Sequence, residues 1–135
     1  MKINWIFLLV TAIIAADRLT KIFAQGCNPI FCIKRSVNYG AAFGLLQGAT
    51  TLFIIVAVIL IPLLIYFLCK TKSSLLRAAL ALILAGTASN LIDRLIYGYV
   101  IDIISLNLFA FPSFNIADAA NTIGAVLLII YLFKK

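Results

Sequence analysis

Long apolar stretches dominate this chain, and the few carboxylates that fall among them gather near one another. Residues 84–118 read L-A-G-T-A-S-N-L-I-D-R-L-I-Y-G-Y-V-I-D-I-I, then a short apolar connector, then F-P-S-F-N-I-A-D. The chain has four acidic residues, all Asp, and three of them, Asp93, Asp102 and Asp118, lie here among side chains that belong in a bilayer. A carboxylate next to hydrocarbon is costly, so each one is a functional candidate by default.

The surrounding composition says what the chain can become. It is 65% hydrophobic over 135 residues, against about half for soluble domains. A membrane span takes about 20 apolar residues, and such stretches occur at about 3–24, 50–68, 75–97 and 114–133. The expected architecture is an all-α integral membrane protein, one domain over residues 1–135, with four transmembrane helices. Residues 28–48 do not fit a helix: they hold Gly40, Gly44 and Gly48, a spacing that favours extended or turning backbone, and form a small extended or β-like outer segment. Pro62 is tolerated within the second span, Gly86 permits close helix packing in the third, and Gly98 stops it. Residues 100–112 are an apolar connector too short to cross.

Lys and Arg set the orientation. Lys2, Lys70, Lys72, Arg77, Lys134 and Lys135 fall on one side, and only Lys34 and Arg35 in the loop opposite, so both termini are expected in the cytosol. The net charge of +7 is a topology signal and a contact with anionic membrane lipids, not a nucleic-acid surface. Cys27 and Cys32 lie just past the first span; on an oxidising face they either pair or stay as two free thiols. At about 1.5 Å of rise per residue, Asp17, Asp93 and Asp118 each stand about 22–24 Å above the cytosolic lysines and arginine. They therefore share one layer just inside the outer leaflet, and Asp102 and Asn38 sit in connections that can fold back to it.

Histidine is absent, which removes Ser-His and Cys-His catalysis and His-ligated zinc. Two close carboxylates in a partly dry site cannot both ionise easily, and one that keeps its proton supplies a general acid beside a general base. Spacing suggests Asp102 and Asp118 for this role, Asp102 being a second acid near Asp118 with no basic residue beside it in sequence. Asn115 and Asp118 are also spaced as an N-cap and its N3 partner. Asn90, Asp93 and Arg94 share a helix face; Asp93 and Arg94 either only neutralise each other, or Arg94 does both jobs and also grips a substrate carbonyl with its planar donor fork. Asp17 and Lys21, four apart, form a structural ion pair. Asn38 either binds substrate backbone or serves a turn. A small proton-coupled transporter would use intramembrane Asp and Arg too, but it needs acids near midplane, where these spans carry none.

Four blocks taken together resemble the lipoprotein signal peptidase (signal peptidase II) family: Asp17-Arg18-Leu19-Thr20-Lys21; Asn38-Tyr39-Gly40-Ala41-Ala42-Phe43-Gly44; Asn90-Leu91-Ile92-Asp93-Arg94 with Gly98 and Val100-Ile101-Asp102; and Phe114-Asn115-Ile116-Ala117-Asp118. The resemblance implies a metal-free, cofactor-free aspartyl endopeptidase of the bacterial inner membrane, its active site near the outer leaflet. Its substrates would be diacylglyceryl prolipoproteins, cut just before the lipidated cysteine, and globomycin-type cyclic peptides would occupy the same site. It implies catalysis by Asp102 and Asp118 and substrate binding by Asn38, Arg94 and Asn115. Support would come from Asp17, Lys21, Gly40, Asn90 and Asp93. Ser89 departs from the family pattern, where a Gly usually precedes the Asn, and so does Ile103, where Phe often follows the first aspartate.

Overall fold

The computed structural model describes residues 4–23, 26–27, 31–40, 46–106 and 111–134. Among these, the chain forms α1 (Asn4–Phe23), β1 (Gly26–Cys27), β2 (Phe31–Asn38), α2 (Thr50–Lys70), α3 (Ser74–Tyr97), β3 (Val100–Leu106) and α4 (Ile116–Phe133). Lys2, Lys135, residues 41–45 of the outer segment and residues 107–110 of the connector lie outside the described residues.

Three helices, α2, α3 and α4, are long and apolar enough to cross a membrane. Their apolar side chains point outward as well as inward: Leu52, Ile55, Ile59, Ile65, Ile123 and Ile129 are all exposed. That is what a bundle solvated by hydrocarbon requires. Helix α3 is the centre, packing against α1, α2 and α4. Small residues make this possible. A Cβ at Gly86 would run into the Ala117 carbonyl and the Asn121 side chain, and one at Gly124 into Ile83 and the Ala79 carbonyl. At one end of the bundle, Ile6, Leu64, Leu68, Leu80 and Ala81 form an apolar cluster.

The outer segment is a sheet of strand order β1-β2-β3, antiparallel throughout. Residues 100–106, expected as a connector, are its third strand. The run V-I-D-I-I-S-L hides this, because Val100, Ile101 and Ile103 are all buried and no polar alternation marks the face. Pairing with β2 supplies the backbone partners that a chain beside a bilayer has to find. Cys32 is disulfide-bonded and Cys69 is a free, exposed thiol. The β1–β2 register sets the backbone of Cys27 opposite Cys32.

Candidate active site

Two chain reversals bring the acids to one end of the bundle. Gly98 ends α3 in left-handed backbone (φ 78°), which a residue with a Cβ adopts at a cost, and feeds the chain into β3. In the β2–β3 ladder Val100 faces Asn38 and Asp102 faces Ser36. Asn115 then starts α4 with a reciprocal capping box. Its Oδ1 accepts the Asp118 N–H (2.8 Å), while Asp118 Oδ2 accepts the Asn115 N–H (3.3 Å).

The cap does more than begin a helix. The Asn115 amide also donates to Asp102 Oδ1 (2.9 Å), so one fully buried side chain touches both acids. The other oxygen of Asp102 accepts from Asn38 Nδ2 (3.1 Å), and Asp118 Oδ1 accepts from Asn90 Nδ2 (2.8 Å). Three asparagine amides thus bracket the two carboxylates. Burial pushes the Asp102 carboxyl up to about 7, and the charge of Asp118 pushes the same way; Asn38, Lys21 and Asn115 counter them only in part.

Two cavities open beside the pair, and Asp118 lines both. One, of about 400 Å³, is walled by Phe111, Phe114, Ala119 and Ile123, with Asn38 at its edge. The other, of about 290 Å³, lies among Phe53, Ala57, Thr87, Asn90 and Arg94. Arg94 holds the rim: its Nη2 donates to the Gly40 carbonyl (3.0 Å) and its guanidinium lies 4.9 Å from the centre of the Phe53 ring. Gly40 in turn donates its N–H to Asn38 Oδ1 (2.9 Å), linking the rim to Asp102.

Asp17, Lys21 and Asp93 do not join the pair. They form a separate buried cluster behind it, in which Lys21 Nζ stands 2.7 Å from each carboxylate. The i, i+4 ion pair expected of Asp17 and Lys21 is there. Asp93 takes Arg18 (2.6 Å) and Lys21 as its partners, not its sequence neighbour Arg94. Side chains at successive helix positions point about 100° apart, so Arg94 turns to the cavity while Asp93 turns to α1. The sequence alone assigns Arg18 no role of its own, and the family resemblance gives Asn90 only a supporting one. The i, i+3 step from Asn90 to Asp93 groups them on one helix face, yet Asn90 reaches across to α4 and Asp93 to α1.

A family profile described as signal peptidase (SPase) II matches residues 9–134. The chain belongs to the signal peptidase II family. A lipoprotein signal peptidase of Halothermothrix orenii is 33% identical over 96% of this chain and 96% of its own length. One of Staphylococcus aureus (strain JH9) is 44% identical over 72% of this chain and 62% of its own. A solved structure of a bacterial membrane enzyme superimposes with a TM-score of 0.90 at 34% identity, covering 98% of this chain and 89% of that one. A second solved bacterial membrane enzyme gives a TM-score of 0.86 at 33% identity, covering 98% and 95%. Membership in this protease family disfavours the transporter reading.

Proposed function

We propose that the chain is an aspartic-type endopeptidase that removes signal peptides from diacylglyceryl prolipoproteins, with Asp102 and Asp118 as its catalytic pair. The observation that carries this reading is Asn115, whose side chain donates to Asp102 Oδ1 and whose backbone N–H donates to Asp118 Oδ2, so that one buried residue ties the two carboxylates. The pair shares one proton between two carboxylates, and Asp102, raised to about 7, is the member placed to hold it. The ionised carboxylate takes a proton from a water between the pair, and the water oxygen bonds to the scissile carbonyl carbon. The protonated carboxyl gives its proton to the carbonyl oxygen, forming a neutral gem-diol. Collapse breaks the C–N bond: one diol proton returns to the pair, the proton already taken from water passes to the leaving nitrogen, and the shared proton is restored. No metal enters these steps.

Arg94 and Asn38 bind substrate backbone at the rim, and Asn115 holds the pair; Gly40 and Asn90 support them. The cut falls just before the lipidated cysteine, with acyl chains lying among membrane lipids. Globomycin-type peptides bind by filling the same site. The whole chain acts as one domain, and α1 is the fourth span. It has the length, 20 residues, and its charges, Asp17, Arg18 and Lys21, are taken up in the cluster with Asp93. The lysine and arginine pattern supports cytosolic termini in a bacterial inner membrane and a site near the outer leaflet.

The experiment is gel-shift cleavage of a diacylglyceryl prolipoprotein by purified protein in detergent. Asp102→Asn and Asp118→Asn should each lower turnover by at least about 10²-fold, the lower bound for losing acid–base catalysis. Both should still melt cooperatively. A folded Asp118→Asn protein that cleaves at the parent rate would return Asp118 to a helix cap.

A further inference from the structure

We propose that the buried Asp17–Arg18–Lys21–Asp93 cluster is a positioning device that fixes the backbone on which each catalytic aspartate is mounted. The proposal rests on Asp102 and Asp118 being the catalytic pair. Its basis is where the cluster's remaining carboxylate valences go. Asp93 Oδ2 accepts the Ile101 N–H (3.0 Å), and Ile101 immediately precedes Asp102. Asp17 Oδ1 accepts the Ala117 N–H (3.1 Å), and Ala117 immediately precedes Asp118. The same relation holds twice, from two elements to two others, with no repeat in sequence to produce it.

The two carboxylates are locked to each other. Arg18 donates to Asp93 Oδ1 at 2.6 Å and to Asp17 Oδ2 at 3.1 Å. Lys21 Nζ bridges them from the other side. Ser89 Oγ adds a donor to Asp17 Oδ2 at 2.6 Å. Asp17, Ser89 and Asp93 are fully buried, and the two acids and two cations balance in charge. A cluster needed only to neutralise helix ends has no cause to finish on two peptide N–H groups. The Ala117 N–H is one of the unpaired donors that every helix start must satisfy, so a bond from α1 fixes the first turn of α4 against the bundle. Ile101 is held at both ends of its residue, its N–H by Asp93 and its carbonyl by Asn115 (3.2 Å). The separation of the two catalytic carboxylates is therefore referred to a single rigid block. Catalysis is sensitive to this: a displacement of about 1 Å at the reacting groups costs about 10²-fold.

The test separates positioning from general support by keeping charge balance and varying only the acceptor. Asp17→Leu/Lys21→Met removes one charge of each sign and leaves the Ala117 N–H without its acceptor; Asp17→Asn/Lys21→Met removes the same charges and keeps an acceptor oxygen. Cleavage of the diacylglyceryl prolipoprotein should show kcat down by about 10²-fold in the first pair, with KM little changed. The second pair should recover most of that loss at a similar melting temperature. Parental kcat in a folded leucine pair would overturn the proposal, as would an asparagine pair that loses as much as the leucine pair. Should the leucine pair not fold, Ser89→Ala decides: it frees one of the bonds that hold Asp17 and should lower kcat a few-fold at constant KM, and unchanged kcat would overturn the proposal. Failure here with dyad variants still inactive removes only the positioning role. Dyad variants that remain active remove the catalytic reading itself.

Discussion

Around Ile6, Leu64, Leu68, Leu80 and Ala81 the helices meet through apolar side chains alone. At the other end of α1 and α3 they meet through Asp17, Lys21, Ser89, Asn90 and Asp93, all buried and all bonded. In a bilayer the first kind of contact gains little from expelling water, because lipid tails are as apolar as leucine, and its strength is that of close packing. The second kind is directional: each bond has one length and one partner, and removing a partner strands a buried charge. The apolar end therefore tolerates imprecision that the polar end does not, and the polar end is where Asp102 and Asp118 stand.

Two glycines at helix crossings set the ends against each other most sharply. A Cβ at Gly86 meets the Ala117 carbonyl, one residue from Asp118, whereas a Cβ at Gly124 meets Ile83 and the Ala79 carbonyl at 2.7 and 2.8 Å. Gly86→Ala should cost about 1–3 kcal/mol in stability and, by shifting the first turn of α4, at least about tenfold in kcat. Gly124→Ala should cost similar stability with kcat per folded molecule unchanged. Melting and cleavage measured together on both variants check this; equal effects on kcat would erase the contrast. Within the apolar end, Leu68→Ala should destabilise by about 2–5 kcal/mol and leave kcat and KM of the folded fraction as they are.

The polar end should also answer to pH. Asp102 is raised from 3.8 to about 7 in the folded chain, so the native state holds this proton more tightly than the unfolded state does. Its contribution to stability is fully present below about 3.8 and is lost as pH rises through about 7. Asp102→Asn removes that loss, so the variant should melt above the parent at pH 8 and close to it at pH 4. Parent cleavage should fall as pH rises through about 7, where the shared proton leaves. An Asp102→Asn protein that melts below the parent by the same margin at both pH values would show that the carboxyl is not raised.

Much of this contrast was legible in the sequence. Span lengths gave α2, α3 and α4 to within a few residues, Gly98 marked the end of α3, and the Asn115–Asp118 spacing marked the start of α4. Rise per residue gave the shared depth of the acids. Depth alone carries no rotation about the helix axis, so it could not split that layer into the Asp102–Asp118 pair and a cluster behind it. Asp93 shows the gap: its neighbour Arg94 is the obvious partner in sequence, yet its bonds run to Arg18 and Lys21, more than 70 positions away. Strand β3 was hidden for a different reason, since a continuously apolar run reads the same as a connector and as a buried strand until its pairing partner is known.

Under the proposed mechanism the finest division of the polar end is between groups that hold the pair and groups that meet substrate, and Asn38 is placed to do both. Its Nδ2 donates to Asp102 Oδ2 at 3.1 Å and its Oδ1 accepts the Gly40 N–H at 2.9 Å. The residue stands at the end of β2, opposite Val100, and is half-buried, so water can replace either bond when the amide is removed. Asn38→Ala should therefore cost in catalysis only what its one bond to Asp102 is worth, about 0.5–1.5 kcal/mol, or about 2- to 10-fold in kcat/KM. The β2–β3 ladder does not depend on this side chain, so the melting temperature should change little. Because Asn38 also edges the larger cavity, part of the effect should appear in KM, unlike the pure kcat effect expected for Asp17. A loss confined to kcat would make Asn38 a holder of Asp102 alone, and unchanged cleavage with unchanged inhibitor binding would leave it a turn residue.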